Sequence, residues 1–323
     1  VRAETEKMQA AYFTQVGDPD QIEVGQLPVP SIGPADVLVR ICEAAVDRVD
    51  AYVRSGAFKT PLQPQQIIGR DVWGTVAAVG AQVKAFHVGD RVWTNSMGYG
   101  GRQGITAQFA AIPETRLFGM PNVNPSSWLA LVHPGATAVI IVTQLLKLQP
   151  GQTLLVEGGA GHVGRMLIQC AKICGLHVIA TVNPRDFATV TALGAEVIDY
   201  SPGWETKLAG PVDAIIDTSG RVPLQLNLDQ LAVGGQLILI AATKEPKVSF
   251  DLPRFYMNVQ QLRGFVISRA SLASLTQANQ WLLQHAAAFA PLTVERLPLS
   301  DAAKAHAMVM DPQVKTRLLI TLP

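Results

Sequence analysis

Gly159, Gly161 and Gly164 stand in G-x-G-x-x-G spacing, directly after the apolar run Leu154-Leu155-Val156 and ahead of an amphipathic segment. The first glycine permits a tight turn, and the second lets backbone N–H groups approach a pyrophosphate. The third lets the following helix pack closely on the strand. The intervening Ala160, His162 and Val163 complete the loop, and the helix start offers N–H groups and a partial positive charge to phosphate. Such a loop alone is also a common turn. Its context makes it chemical, because strands and helices alternate after it as a βαβ unit requires.

A dinucleotide loop needs a sheet beneath it. From Gly151 the strands read Leu154–Val156, Val178–Val182, Val197–Ile198, Ala214–Asp217 and Gln236–Ile240, with Leu262–Ile267 as a sixth. Their near-continuous apolar character is that of parallel strands covered on both faces. Asn183-Pro184 reads as a helix start, with Asn capping and Pro in the first position. Residues 8–123 read as short, uneven strands punctuated by Gly and Pro, an antiparallel and partly open β-domain. A helix opens at Pro125-Ser126-Ser127 with serine as its cap, and His133-Pro134-Gly135 breaks the apolar stretch Trp128–Leu148. A further helix is expected over Leu272–Ala287. The tail returns to strand, helix and strand and is expected to close back onto the N-terminal domain.

The expected fold class is therefore α/β: a mostly β domain from residues 1–123 and 269–323, and a doubly wound parallel-sheet domain over 124–268. The chain has 323 residues, 48% hydrophobic and 16% charged, with a net charge of +1. That composition fits a well-buried globular protein and gives no electrostatic basis for binding nucleic acid or anionic membrane. No apolar run reads as long enough to cross a bilayer, and a soluble, cytoplasmic protein is expected. Residues 1–7 are polar and are expected to be a disordered extension. The three cysteines, Cys42, Cys170 and Cys174, are too few for a disulfide framework and read as packing residues.

Several stretches together resemble the medium-chain dehydrogenase/reductase superfamily, in its zinc-free quinone oxidoreductase (zeta-crystallin-like) group. They are Val46–Gly56, Ile68-Gly69-Arg70-Asp71, Val88-Gly89-Asp90-Arg91-Val92 and Gly159–Gly164. Leu193-Gly194-Ala195-Glu196, Asp217-Thr218-Ser219-Gly220 and Pro298–His306 add to these. The resemblance implies a GroES-like substrate domain and a Rossmann domain, with a nicotinamide held between them. It implies a homodimer joined through the outer edge of the Rossmann sheet, near Leu262–Ile267, where an apolar edge needs cover.

Zinc-dependent relatives carry Cys, His and Cys ligands, and the matching positions here are Asp47, Arg70 and His133, with Asp71 as the acidic neighbour. A guanidinium has no lone pair to offer a metal. Asp47 and His133 alone fall short of the usual three protein ligands. The four-cysteine structural zinc loop is absent too. The expectation is a site without zinc, its place filled by an Asp47–Arg70 ion pair.

For the cofactor, the second strand carries Thr181 where an NAD-binding unit carries an acid for the ribose 2′-OH. The missing carboxylate admits a 2′-phosphate, and Arg185 is placed to pair with it. The resemblance adds Tyr200 and Asn183 at that end, Thr137 facing the nicotinamide, and Ser219, Ala241 and Ala242 along the cofactor. NADPH is the expected cofactor. Tyr52, Asp47 and Arg48 are the candidate catalytic residues. Tyr52 matches a family tyrosine whose hydroxyl would donate to a quinone oxygen, or which simply packs. Asp47 and Arg48 replace a family asparagine and aromatic. The expected activity is hydride transfer from NADPH to a quinone or related conjugated carbonyl, a small-molecule substrate. An alkenal or enone double-bond reductase, or a non-enzymatic nucleotide-binding protein, stays open at this point.

Overall fold

A computed structural model describes residues 6–242 and 247–323. The chain divides into two compact units, residues 1–133 with 291–323, and residues 134–290. The expected divisions lay at 123/124 and 268/269. The helix Leu272–Gln284 stays with the second unit, where Gln144 Nε2 donates to the Ser274 carbonyl at 3.0 Å.

In the second unit the six-stranded sheet is parallel throughout. Its order is Glu196–Asp199, His177–Val182, Thr153–Glu157, Val212–Asp217, Leu231–Leu239 and Gln261–Gly264. In chain order that is 3-2-1-4-5-6, the doubly wound arrangement in which ligands bind where the strand order reverses. The reversal falls between Thr153–Glu157 and Val212–Asp217, whose last residues, Glu157 and Asp217, lie side by side in register. The central strands are buried because helices cover both faces: Leu154, Leu155, Val156, Ile215 and Ile216 are fully enclosed. Cys170 is buried on the inner face of the helix His162–Ile173 and Cys174 is half-buried; both are free thiols.

The first unit carries a seven-stranded sheet and a three-stranded one. The long strand Asp36–Ala45 pairs antiparallel with Asp71–Val79 and with Phe109–Pro113. The tail closes onto it, since Arg317–Thr321 pairs antiparallel with the same strand, while Val294–Pro298 runs parallel to Arg317–Thr321. Alternation explains the burial: Val37, Val39 and Ile41 point inward, and the intervening residues are less buried or exposed. Residues 1–5 lie outside the described residues. Lys7, expected in a disordered leader, begins the strand Lys7–Phe13.

Three expectations fail in one helix. Pro125–Val139 runs through Pro134 without a break and continues as a π-helical segment, Ile140–Leu145. Its cap is Asn124, whose side chain accepts from the Ser127 amide at 3.0 Å, rather than a serine. At 21 residues it is long and apolar enough to cross a membrane, contrary to the sequence reading. Within the protein, however, 83% of its most apolar window is buried, as in a core helix.

Candidate active site and dinucleotide loop

The glycine loop leaves the end of the strand Thr153–Glu157 and enters the helix His162–Ile173. The tight turn comes one residue earlier than the spacing predicts. Gly158 holds the positive φ, 76°, and a Cβ there would sit 2.6 Å from Thr218 Oγ1. Gly159 instead permits close packing, with its would-be Cβ 2.7 Å from that of Ala180. At Gly164 a Cβ would meet the Gly158 carbonyl oxygen at 2.4 Å, so helix and loop touch backbone to backbone. Gly161 is the N-cap and brings no side-chain acceptor, so the amides of the first turn are left for an anion. His162 and Val163 are half-buried in that turn, and Ala160 is half-buried ahead of it.

The remaining cofactor candidates divide into two groups. Thr181 is buried, and its carbonyl accepts from the Gly159 amide at 3.2 Å, which ties the second strand to the loop. Asn183 caps the turn Pro184–Asp186 by accepting from the Arg185 amide at 3.1 Å. Arg185 is exposed, with Nε 3.7 Å from Asp186 Oδ2, the neighbour that weakens its field. Tyr200 is exposed, and its amide donates to the Val182 carbonyl, which places its backbone beside the end of the second strand. Ser219 donates from both its amide and its hydroxyl to Asp217 Oδ1. Ala241 and Ala242 follow the fifth strand, with the Ala242 carbonyl oxygen 2.4 Å from where a Gly220 Cβ would be. Thr137 is buried in the long helix.

Beneath the loop lies a group the sequence reading passed over. Glu157 is fully buried beside Asp217, and Asn227 Nδ2 donates to its Oε2 at 2.8 Å. Burial, then the Asp217 charge, pushes the Glu157 carboxyl up to about 8. The signal was visible: a glutamate closes an otherwise apolar strand.

In the first unit, six ionisable side chains meet below the surface: Asp47, Asp50, Arg70, Asp71, His133 and Arg317 are all less than a tenth exposed. Asp47 is the N-cap of the helix Arg48–Ser55, and its amide donates to Asp50 Oδ2 at 3.0 Å. The expected Asp47–Arg70 pair does not form. Asp47 Oδ1 takes Arg317 Nη1 at 2.9 Å, and Arg70 Nε meets Asp50 Oδ1 at 3.0 Å. The reason is topological: the C-terminal strand runs beside Asp36–Ala45 and delivers Arg317 to the head of this helix. Arg317 Nε also donates to the Ala130 carbonyl at 2.8 Å. His133 Nδ1 lies 3.3 Å from Asp71 Oδ2 and 3.8 Å from Asp47 Oδ2.

Burial, then the Asp47 charge, raises the Asp71 carboxyl to about 7. Burial disfavours charge on His133, but the carboxylates of Asp47 and Asp71 outweigh it and raise its affinity for a proton. Burial works against ionising Asp47 as well, and there Arg317 and His133 prevail and hold it ionised. With a neutral imidazole, three carboxylates face two guanidiniums and one negative charge is left over. A single proton shared by Asp71 and His133 cancels it.

Asp47, Asp71 and His133 present ligand atoms within 4.8 Å of one another. The donors therefore number three, one more than the sequence count. Two guanidiniums oppose a divalent cation here: Arg317 takes Asp47 Oδ1, leaving Oδ2 without a hydrogen bond among the described residues, and Arg70 bears its positive charge on His133. Of the other catalytic candidates, Tyr52 is 41% exposed on the helix Arg48–Ser55. Arg48 turns to the chain's end, where its Nε donates to the Val309 carbonyl at 3.3 Å.

Comparison with known proteins matches this geometry. Residues 33–122 fit the alcohol dehydrogenase GroES-like domain, and residues 163–284 fit the zinc-binding dehydrogenase family. Quinone-oxidoreductase QR1, chloroplastic, of Triphysaria versicolor is 30% identical over 69% of this chain and 70% of its own length. Quinone oxidoreductase of Pseudomonas aeruginosa is 27% identical over 91% and 93%. Acryloyl-coenzyme A reductase of Sulfurisphaera tokodaii is 25% identical over 91% and 95%. Among solved structures, the Pseudomonas syringae pv. tomato quinone oxidoreductase superposes with a TM-score of 0.84 at 26% identity, covering 98% of this chain and 100% of that one. Mycobacterial Rv1454c complexed with NADPH gives 0.83 at 28% identity with the same coverage.

Proposed function

Since the chain belongs to the medium-chain dehydrogenase/reductase superfamily, in its quinone oxidoreductase group, we propose that it is an NADPH-dependent, zinc-independent reductase of quinones or related conjugated carbonyls. The observation that carries this reading is the Gly158–Gly164 loop at the reversal of the 3-2-1-4-5-6 sheet. NADPH, when bound, supplies the hydride. The first-turn amides of the helix His162–Ile173 would hold its pyrophosphate, and no carboxylate at position 181 would repel a 2′-phosphate. Arg185 and Tyr200 stand at that end as its partners.

A quinone suits a site without a Lewis acid. Hydride reaches an electron-poor carbon, and conjugation spreads the charge of the product. Reduction by two electrons then needs a proton. Asp71 and His133 hold one between them, and the exposed Tyr52 hydroxyl is available to donate to the acceptor oxygen. The guanidiniums of Arg70 and Arg317 replace the charge a metal would bring to these carboxylates. Calorimetric titration with NADPH and NADH tests the cofactor, with tighter NADPH binding expected. Equal or tighter NADH binding overturns that preference.

A second reading, reduction of a double bond conjugated to a carbonyl, draws support from the acryloyl-coenzyme A reductase relative. Product analysis separates the two: menadione consumed with an enone left intact supports the quinone, and the reverse supports the alkene.

The same reading includes a homodimer through Gln261–Gly264. This edge strand is exposed at all four residues, with Tyr256 and Val259 exposed close by in sequence and Val233 exposed in the neighbouring strand Leu231–Leu239. Sedimentation at the mass of two chains supports it, and a monomer at micromolar concentration refutes it.

A further inference from the structure

The buried or half-buried arginines of the first unit do not all have acidic partners. Arg70 meets Asp50 and Arg317 meets Asp47, while buried Arg54 donates to the Gly17 carbonyl. Arg102 and Arg116 are half-buried, yet no carboxylate among the described residues lies within 4.0 Å of either. Instead both converge on one oxygen. Arg102 Nε donates to the Ser96 carbonyl at 3.0 Å, and Arg116 Nη1 donates to it at 3.4 Å. Glu114, close in sequence, is committed elsewhere, its Oε1 accepting from the amides of Lys84 and Ala85.

The loop is built for this meeting. Gly98, Gly100 and Gly101 all have positive φ, which folds residues 96–104 tightly enough to bring Arg102 back over Gly100. A Cβ on Gly100 would stand 3.2 Å from Arg102 Nη1, so the glycine leaves room for the guanidinium. Gly100 itself is pinned by donating to Thr60 Oγ1 at 2.9 Å. Beside it, the Tyr99 and Phe58 rings pack with centroids 5.2 Å apart, and the Arg70 guanidinium lies 5.9 Å from the Tyr99 centroid. Burial, then the charges of Arg116 and Arg70, lower the Arg102 pKa to about 10, so it remains a cation at neutral pH in a field of like charge.

Clamping one carbonyl does not account for the arrangement. Each guanidinium carries five N–H donors in a planar fork, and Ser96 engages one from each. Two half-buried cations without a counter-charge are costly, and an anion with paired oxygens would satisfy both forks. We propose that Arg102 and Arg116, with Tyr99 and Phe58 beside them, form a binding site for an anionic carboxylate or phosphate group of the electron acceptor. The inference rests on the reductase reading for the identity of the ligand, and on the loop alone for the anion. Arg70 lies near the Tyr99 ring and also pairs with Asp50, so it links the loop to the buried cluster.

The test compares acceptors that differ in charge, using the full chain with NADPH. Menadione is the neutral acceptor, a naphthoquinone carrying a carboxylate is one anionic acceptor, and an enoyl-coenzyme A thioester is the other. In Arg102→Gln the ratio of kcat/KM for an anionic acceptor over menadione should fall about tenfold. Arg116→Gln should lower the same ratio, and Arg102→Lys should restore part of it, because charge returns without the fork. The acceptor whose ratio falls identifies carboxylate or phosphate as the source. Calorimetric titration of the carboxylated quinone into the protein without NADPH reads the anion independently of the glycine loop, which would itself take pyrophosphate. If no acceptor is reduced but binding weakens tenfold in both glutamine variants, the reductase reading fails and the anion site stands. An unchanged ratio in both variants, together with unchanged anion binding, overturns the proposal.

Discussion

The glycine loop and the buried charge cluster are built on opposite principles. The loop offers backbone amides rather than side chains: Gly158, Gly159, Gly161 and Gly164 admit close approach that a Cβ would hinder. The cluster is made of side chains from four separate stretches, around positions 47–50, 70–71, 133 and 317. A backbone site is written in consecutive residues and follows from local geometry. A side-chain site exists only once distant strands pair.

The variants that separate the two follow in order of expected effect. Arg317→Met leaves Asp47 buried opposite an apolar side chain. Breaking a buried pair from one side costs roughly 3–5 kcal/mol, and denaturant unfolding should show it. Asp47→Asn in the same background should recover much of that loss. If the double variant is no more stable than Arg317→Met, the pair does not govern this region.

Gly164→Ala attacks the loop. Its Cβ would collide with the Gly158 carbonyl, so the helix must retreat. NADPH affinity should drop about a hundredfold, close to 3 kcal/mol, and unfolding stability should fall less than in Arg317→Met. Unchanged affinity would remove the loop from cofactor binding.

Glu157→Gln probes the buried carboxyl under the loop. Its folded pKa, about 8, lies above the unfolded value, so the native state binds the extra proton. Stability from this group is fully present below the unfolded pKa and is lost as pH rises through 8. The wild type should therefore lose stability progressively between pH 5 and pH 9 from this group, with most of the loss complete by pH 8. The glutamine variant should lack that slope while keeping the Asn227 contact. Parallel pH profiles for the two proteins would contradict the assignment.

Arg185→Ala is the mildest. Exposed and close to Asp186, Arg185 should contribute no more than about 1 kcal/mol. KM for NADPH should rise a few-fold, with KM for NADH unaffected. Equal changes for both cofactors would take Arg185 away from the 2′-phosphate.

Much of the fold was legible. The apolar runs at 154–156, 178–182, 214–217 and 236–240 each became a parallel strand, since burial on both faces leaves no alternation to misread. The glycine spacing placed the loop, with the positive φ displaced by one residue to Gly158. The long helix was misread at Pro134, because local propensity predicts a break that tertiary packing overrides. The Arg317 partner of Asp47 was not legible, because nothing local links residues 270 positions apart. An arginine opening the apolar strand Arg317–Thr321 was its only mark. Likewise the meeting of Arg102 and Arg116 on Ser96 follows from the fold of the loop, not from its composition.

The most direct measurement is the rate of NADPH oxidation by menadione before and after exhaustive chelation, with zinc then added back. An unaltered rate throughout is predicted, because guanidiniums and a shared proton already balance the buried carboxylates. A rate abolished by chelation and restored by stoichiometric zinc would contradict the account.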